Sequence, residues 1–398
     1  MLRSFVCLRP LQCRAMSIHR KPDRNAVSAF ASQLNVMTQH SITLATAAVA
    51  DRVGLFKLLA NHSDPEGGVF LTVEQISSIG ALHPRYVKEM CGCLACAGFL
   101  QYDKDTDGFG CDSAVSKVLA DDEFALNAAG WLDMVPAMYR AVPGVSEAAR
   151  TPERLTGIPF SSYSDWGFSR GMDRLNGAGI KSSFVRKWLP ESMPEMVEKL
   201  QQGIKVADLG TGSGALAFSL ANAFKNSHVT GIDLDERSVK QANALNPGLT
   251  NLVFQCRDMA TIEPCSFDLI VNHDCIHDLV DPVAVLSSIR HALKPDGMFF
   301  SLEPRTPGES VAEAYELAGR HGESSRAQVS MMYGMSTLHC MTVSCAHGGL
   351  GLGCATFGPK TYEKLARDAG FLRFEVVGGS LANNFYVLSG GTGAKSAL

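Results

Sequence analysis

The chain has 398 residues, of which 46% are hydrophobic and 19% charged. This composition excludes a disordered or collagen-like chain, and the length suggests two or three domains that can bury a core without disulfide bonds. The formal net charge of −4 arises from 36 basic and 40 acidic residues, so the chain lacks the excess of Lys and Arg that is typical of nucleic-acid binders.

The first 22 residues differ in composition from the rest of the chain. They contain five basic residues and no acidic residue. An Arg-rich, acid-poor leader is typical of a mitochondrial transit peptide, although Pro10 interrupts the helix and Met16 offers a second start. We therefore expect a cytoplasmic protein, with mitochondrial import as the alternative, and we exclude residues 1–22 from the fold.

The twelve cysteines show no paired spacing. Cys91, Cys93 and Cys96 form a CxCxxC cluster, but no second cluster along the sequence completes a four-ligand site. The sequence thus predicts reduced thiols and no metal site. It has no apolar run of about 18 residues, so we expect neither a transmembrane helix nor a membrane partner.

Residues 25–120 predict three helices followed by a hairpin. The first helix is expected over residues 25–60, the second begins after Thr72, with Gln75 at the capping-box position, and the third spans residues 83–96. Residues 99–102 and 109–111 predict a hairpin around a turn at residues 107–108. This order is typical of a winged-helix domain.

The predicted winged-helix segment has the wrong charge for a DNA reader. Residues 25–120 contain six basic and nine acidic residues, and the third helix carries Cys91, Cys93 and Cys96 where a reader would present Arg, Asn or Gln. We therefore expect a dimerisation or substrate-cap domain that supports a homodimer, and no nucleic-acid partner.

Residues 121–200 predict a mostly helical linker and substrate cap, with loops at residues 143–144 and 157–159. A second segment, residues 327–359, contains no Asp, Glu, Lys or Arg and is rich in Met. Because flexible apolar side chains suit an adaptable ligand, we expect this segment to line a pocket.

Strand and helix patterns alternate over residues 201–390, which predicts an α/β domain with a parallel sheet. After the first strand comes a glycine-rich turn that contains Gly210, Gly212 and Gly214. Glycines let the main chain turn sharply and approach a ligand, and the helix that follows offers free N–H groups. The turn nearly fits the GxGxxA pattern, so a nicotinamide nucleotide is an alternative ligand.

Four later features favour a different cofactor. Asp233 ends the second strand, Asp258 ends the third, residues 267–273 form the fourth strand, and residues 293–300 form a helix–turn–strand unit. Together with the glycine turn, residues 204–303 resemble class I S-adenosylmethionine-dependent methyltransferases.

That resemblance implies a Rossmann-like, seven-stranded methyltransferase domain and S-adenosylmethionine as cofactor. It places Asp208 near the methionine amino group, Asp233 on the ribose hydroxyls, and Asp258 with Met259 near the adenine. Leu234 and His273 are expected on the cofactor side as well.

A wider resemblance covers most of the chain. Residues 157–160, 273–278, 303–304 and 348–353, with the helical N-terminus, are similar to little-characterised methyltransferases that carry a winged-helix domain before a class I domain. A more distant similarity to plant small-molecule O-methyltransferases places their catalytic His at His277, although Leu279 stands where those enzymes usually have an aromatic residue.

We therefore expect methyl transfer to a small-molecule acceptor, with a hydroxyl as the favoured target. Because the sulfonium already activates the methyl group, the protein only has to align the nucleophile and remove its proton. His277 is the favoured general base. His339 is the alternative base, and Glu303 is expected to orient the base or contact the acceptor. A catalytically inactive cofactor-binding regulator or scaffold is the alternative function.

Overall fold

A computed structural model describes residues 23–320 and 322–390. The predicted leader, residues 1–22, lies outside this range. Within it, no helix is long and apolar enough to cross a membrane.

The N-terminal part consists of helices and a small sheet. Its helices are α1 (Arg24–Arg52), α2 (Leu55–His62), α3 (Val73–Gly80), α4 (Pro84–Cys96) and the short α5 (Ser113–Val115). The expectation of one helix over residues 25–60 is wrong, because Gly54 adopts a left-handed φ of 78° and ends α1. The capping box of Thr72 and Gln75 is confirmed.

The small sheet has the order β1-β3-β2, formed by β1 (Leu71–Thr72), β2 (Gln101–Asp103) and β3 (Gly108–Gly110). The antiparallel pairing of β2 with β3 confirms the predicted hairpin. Side chains of α1–α4 and β3 share one buried cluster, so this part has its own core. The winged-helix interpretation, its role, and the boundaries at residues 120 and 200 stay predictions.

Five helices connect this part to the main sheet: α6 (Trp131–Ala148), α7 (Phe160–Asp165), α8 (Phe168–Ser183), α9 (Leu189–Ser192) and α10 (Pro194–Gln202). The predicted loop at residues 143–144 is wrong, because α6 continues through Pro143. A proline removes one backbone hydrogen bond, and α6 offsets that loss by burying a continuous face that includes Met134, Met138 and Ala141. The predicted loop at residues 157–159 is present.

The C-terminal part is built on a seven-stranded sheet of order β6-β5-β4-β7-β8-β10-β9. Its strands are β4 (Lys205–Leu209), β5 (His228–Asp233), β6 (Leu252–Cys256), β7 (Phe267–His273), β8 (Leu293–Pro304), β9 (Arg373–Gly379) and β10 (Asn383–Ser389). Strands β4–β8 pair in parallel, whereas β10 runs antiparallel to both neighbours.

The helices that accompany the sheet are α11 (Ala215–Ala223), α12 (Glu236–Leu245), α13 (Pro282–Ala292) and α17 (Pro359–Asp368). Two buried clusters involve the sheet, one with α13 and α17 and the other with α11 and helices α8–α10. The predicted fold class, a Rossmann-like sheet preceded by a mainly helical part, is confirmed. In such sheets, ligands bind at the carboxyl ends of the parallel strands.

The segment between β8 and α17 folds back over the loop that follows β7. It forms α14 (Val311–Arg320), α15 (Glu323–Met335), a π-helical turn (Ser336–Cys340) and α16 (Met341–Cys345). The Ser344 hydroxyl donates to the Leu279 carbonyl at 2.8 Å, and Tyr163 of α7 donates through its hydroxyl to the Leu338 carbonyl. The uncharged segment is therefore packed onto the sheet edge that positions the site.

Candidate active site

The glycine turn between β4 and α11 depends on left-handed backbone. Gly210, Gly212 and Gly214 have φ angles of 66°, 54° and 92°. A side chain at Gly214 would also lie 2.6 Å from the Phe254 ring, so glycine is required there for packing. Gly214 thus packs against Phe254 and does not line the adjacent cavity, whereas Gly210 and Gly212 do.

Asp208 is buried at the end of β4, with 1% of its surface exposed. Its Oδ2 accepts hydrogen bonds from the Thr211 hydroxyl at 2.6 Å and from the Ala217 N–H at 3.1 Å. Burial nevertheless raises the pKa of Asp208 to about 7, and nearby Asp233 adds to the effect. A carboxylate held this way is suited to pair with a cationic ligand group.

Asp233 ends the neighbouring strand β5. Its Oδ2 accepts from the Gly212 N–H at 2.8 Å and its Oδ1 from the Asp235 N–H at 2.9 Å. Burial raises its pKa above the ordinary value. The hydrogen bond from Gly212 holds the Asp233 carboxylate against the glycine turn. The two predicted cofactor motifs, the glycine turn and the end of β5, therefore lie side by side.

One cavity of about 520 Å³ runs along this sheet edge. The predicted cofactor residues that line it are Asp208, Gly210, Gly212, Asp233, Leu234, Asp258, Met259 and His273. Gly214 is the one predicted cofactor residue that does not line it. The structure therefore brings residues from four strand ends to one space.

The other end of the cavity is aromatic and apolar. Phe160, Phe168, Met172 and Val343 contribute to it, and the ring of His339 stacks on Phe168 with centroids 3.8 Å apart. Burial and, to a smaller extent, the nearby His277 charge together lower the pKa of His339 to about 3, which favours the neutral ring. Its Nε2 has no hydrogen-bond partner among the described residues.

His277 lies behind the cavity wall between two carboxylates. Its Nδ1 is 2.7 Å from Glu303 Oε2, and its Nε2 is 3.1 Å from Asp278 Oδ1. Burial alone would lower the pKa of His277, but Asp278 and Glu303 raise it to about 10. This raised pKa favours the imidazolium form of His277 at neutral pH.

Glu303 orders this group from the end of β8. It accepts from the Asn272 amide at 2.6 Å, from the Ile276 N–H at 2.9 Å and from the His277 ring. Burial favours its protonated form, but these donors outweigh burial and lower its pKa. Glu303 and His277 do not line the cavity, whereas Asp278 and His339 do.

Sequence reasoning missed Asp278 as a cavity residue and the contribution of α8. Asp173 of α8 lines the cavity beside Gly212, and burial raises its pKa to about 6. Asn176 lines the cavity one turn later. No local motif marks α8, because its approach to the glycine turn is a tertiary contact.

Comparison with known proteins agrees with this geometry. Residues 200–366 match a family model described as a methyltransferase domain. These residues form a methyltransferase domain. The resemblance to class I enzymes that use S-adenosylmethionine is confirmed, whereas the winged-helix part of the resemblance stays a prediction.

Curated relatives match a segment of the chain. A ubiquinone biosynthesis O-methyltransferase of Neisseria meningitidis serogroup C is 35% identical over 113 residues, which cover 27% of this chain and 47% of the relative. A ubiquinone biosynthesis O-methyltransferase of Idiomarina loihiensis is 36% identical over 103 residues, or 25% of this chain and 41% of the relative. The chain thus spans less than half the length of these relatives.

Solved structures match nearly the whole chain at low identity. The mitomycin 7-O-methyltransferase MmcR superposes with a TM-score of 0.63 at 15% identity, covering 92% of this chain and 100% of that chain. Human N-acetylserotonin methyltransferase, solved with S-adenosylmethionine, superposes with a TM-score of 0.61 at 17% identity, covering 94% and 99%. These matches extend the shared fold beyond the methyltransferase domain to the N-terminal helical part.

Proposed function

We propose that this chain transfers the methyl group of S-adenosylmethionine to an oxygen of a small-molecule acceptor. The observation that carries the proposal is that one cavity is lined both by the carboxylates of Asp208 and Asp233 and by the aromatic rings of Phe160 and Phe168. One ligand can occupy the polar end while a second meets it at the apolar end. Methyl transfer requires this arrangement of cofactor and nucleophile.

The cofactor is assigned to the polar end. Asp208 pairs with the methionine ammonium group, Asp233 accepts hydrogen bonds from the ribose, and Asp258 with Met259 contacts the adenine. Leu234 and His273 complete this end. The burial of Asp208 supports the order, because its carboxylate can be met only by a ligand that enters fully, whereas Asp233 is half-buried in the same cavity lining.

The acceptor is assigned to the aromatic end, between Phe168 and Val343. Aromatic and apolar walls favour a flat or hydrophobic molecule. The relatives and structural neighbours named above include O-methyltransferases, which supports oxygen as the methylated atom. The excess of acidic over basic residues in residues 25–120 favours a small molecule over a nucleic acid.

In this proposal, Asp278 and His277 together remove the acceptor proton. Asp278 reaches the cavity wall, and burial raises its pKa while the His277 charge opposes that effect. The acceptor hydroxyl gives its proton to Asp278, and the imidazolium of His277 favours the ionised carboxylate beforehand. His277, predicted to be the base, thus acts through Asp278, and Glu303 fixes the His277 ring.

We also propose that α1 mediates a homodimer. Val27, Phe30, Leu34 and Met37 are exposed on α1 at spacings of three and four residues. This spacing forms one apolar stripe, as in the seam between paired helices. A second copy of the same helix would remove the stripe from water.

The test is transfer of a labelled methyl group from S-adenosylmethionine to a panel of small phenols and carboxylic acids. We expect Asp278→Asn and His277→Ala to lower turnover by about 10²-fold or more while cofactor affinity is retained. His228→Ala, an exposed histidine at the start of β5, is the control. Unchanged turnover in Asp278→Asn would refute the assigned proton path.

Cofactor binding without turnover on any acceptor would contradict the enzymatic proposal. It would favour the alternative, a cofactor-binding regulator or scaffold that retains Asp208 and Asp233 and has lost the chemistry.

A further inference from the structure

The charge of the cavity lining is one-sided. Seven aspartates line the cavity, and none of the described residues that line it is a lysine or an arginine. S-adenosylmethionine brings two positive groups, its ammonium and its sulfonium, and one negative carboxylate. The lining therefore offers more carboxyl groups than the proposed cofactor can pair. The seven are Asp173, Asp208, Asp233, Asp235, Asp258, Asp274 and Asp278.

Six of these seven aspartates have a role or lie at the glycine turn. Four have roles in the proposed function: Asp208, Asp233, Asp258 and Asp278. Asp235 caps α12 by accepting a hydrogen bond from the Ser238 N–H, and Asp173 lies beside Gly212. Of the seven, Asp274, which follows β7, is left without an assigned role.

Asp274 is held in place by neutral donors. Its Oδ1 accepts from the Asn383 amide at 2.6 Å and its Oδ2 from the Asn176 amide at 3.3 Å. Its left-handed φ of 50° is uncommon outside glycine and is frequent at functional sites. No described lysine or arginine lies within 4 Å of it, and the His273 ring is 3.9 Å away. Because each carboxylate oxygen accepts more than one bond, Asp274 can take a further donor.

Asp274 lies where the two ends of the cavity meet. A side chain at Gly210 would lie 2.9 Å from the sulfur of the next residue, Cys275, so this loop packs against the glycine turn. The same loop continues to Asp278 at the aromatic end. Burial raises the pKa of Asp278, and the charge of Asp274 contributes to that rise, so the two carboxyl groups are near each other.

Helix α8 connects Asp274 with the aromatic wall. Phe168, Met172 and Asn176 line the cavity at intervals of four residues, so they share one face of the helix. Four residues of an α-helix span about 6 Å. A ring beside Met172 can thus place a positive group at Asp274 on a chain of roughly two or three atoms.

The aromatic end also contains a polar atom without a partner. His339 lines the cavity and is 3% exposed, and its Nε2 has no hydrogen-bond partner among the described residues. Its Nδ1 lies 3.9 Å from Asp278 Oδ2, so one hydroxyl oxygen can contact both atoms. Buried polar atoms are normally paired. This end therefore suits a ring that carries a hydroxyl group better than a plain hydrocarbon.

We propose that the acceptor is a phenol with a basic alkylamine side chain, whose ammonium group pairs with Asp274 while its hydroxyl faces Asp278. This inference rests on the proposed methyl transfer to oxygen and names the class of acceptor. The lining has no positive side chain of lysine or arginine to meet an acid, and the rings of Phe160 and Phe168 favour a cation. Pairing with Asp274 keeps the amine protonated, so the oxygen is left as the nucleophile.

The experiment compares three probes that share a 4-hydroxyphenyl ring on a short chain. They are 4-(2-aminoethyl)phenol, its N-acetyl derivative and 3-(4-hydroxyphenyl)propanoic acid. Calorimetry measures their binding to the full-length chain with and without S-adenosylhomocysteine, so no turnover is needed. We expect the amine to bind about tenfold more tightly than the amide, because only the amine pairs with Asp274. The acid should bind most weakly.

Asp274→Asn removes the charge and keeps the size of the side chain. Asparagine tolerates left-handed backbone, and the Asn176 amide can turn its oxygen towards the new amide. The preference for the amine over the amide should fall by about tenfold, with S-adenosylmethionine affinity retained. Asp235→Asn removes another carboxylate from the lining and should keep the preference, which controls for the overall loss of negative charge.

Equal binding of the amine and the amide by the wild type, or tighter binding of the acid, would overturn the inference. This comparison needs no variant, so it decides the matter should circular dichroism show that Asp274→Asn is unfolded. A preference that survives in a folded Asp274→Asn would also overturn it. So would a loss of S-adenosylmethionine affinity with the preference intact, which would assign Asp274 to the cofactor.

Methyl transfer is measured separately on the same three probes. Transfer to the neutral probe without preference for the amine would leave the proposed function standing and overturn the inference. Binding of the amine through Asp274 without transfer to any probe would do the reverse. Methylation of the amine nitrogen would overturn both, because an ammonium paired with Asp274 has no free electron pair to attack the methyl group.

Discussion

Replacement of Asp208 by Asn should make the protein more stable and impair cofactor binding. Asp208 Oδ2 accepts both the Thr211 and the Ala217 hydrogen bonds, so an amide oxygen can replace it at the same position. The substitution removes a charge that the fold holds out of water. The same charge is the proposed partner of the methionine ammonium group.

The magnitude follows from the pKa of Asp208. Burial raises it from 3.8 to about 7, and each unit corresponds to about 1.4 kcal/mol. Because the folded-state value is the higher one, the folded protein binds the proton more tightly. The contribution of Asp208 to the free energy of unfolding is therefore fully present below the unfolded-state pKa of 3.8. It is lost as the pH rises towards the folded-state pKa of about 7. The loss is about 2 kcal/mol near pH 5 and about 4 kcal/mol near pH 8.

The measurement is the free energy of unfolding in urea for wild type and Asp208→Asn near both pH values. The advantage of the variant should grow by about 2–3 kcal/mol between about pH 5 and pH 8, and effects that do not titrate cancel in this difference. Calorimetry near pH 8 should show S-adenosylmethionine binding weakened by at least tenfold. Asp281→Asn, which changes an exposed N-cap carboxylate of α13, controls for loss of one carboxylate.

A stability advantage of Asp208→Asn that does not change with pH would refute the reasoning about the buried charge. Unchanged cofactor affinity with the expected stability change would instead remove Asp208 from the cofactor site.

Three further predictions concern other parts of the molecule. Asp233→Ala removes the acceptor of the Gly212 N–H and the ribose contact, so calorimetry should detect no cofactor binding; unchanged affinity would remove Asp233 from the site. Phe168→Leu removes the stacking partner of His339 and should raise the acceptor KM by roughly 2–10-fold with cofactor affinity unchanged, whereas an unchanged acceptor KM would place the acceptor elsewhere. Phe30→Asp puts a charge in the exposed stripe of α1, so sedimentation velocity should show a monomer where the wild type is a dimer; a wild-type monomer would contradict the dimer.

The glycine-turn end of the cavity, to which we assign the cofactor, could be predicted because its determinants are local. The strand that contains Asp208, a turn with three glycines and a helix are adjacent in sequence. Asp233 is the last residue of its strand, and Asp258 follows the next strand. Parallel strands have their carboxyl ends at the same edge of the sheet. Identifying the strands in the sequence therefore also predicted that Asp208, Asp233 and Asp258 lie at that edge. Eight of the nine predicted cofactor residues line the cavity.

The aromatic end of the cavity, to which we assign the acceptor, depends on tertiary contacts that no local pattern contains. Asp173 reaches the glycine turn only because α8 packs on the sheet, and Asp278 rather than the adjacent His277 faces the cavity because Glu303 holds the His277 ring. The absence of charge over residues 327–359 did indicate a pocket-lining segment, and His339 and Val343 of that segment line the cavity. The continuation of α6 through Pro143 was not predicted, because proline locally disfavours a helix and the buried packing of α6 overrides that preference.

Cofactor binding is the most direct test of the site that we assign to S-adenosylmethionine. Isothermal titration of the full chain with S-adenosylmethionine, S-adenosylhomocysteine and NAD requires no knowledge of the acceptor. We expect micromolar binding of both sulfur compounds and no binding of NAD. NAD binding, or no binding of either sulfur compound, would contradict the assignment of this cavity.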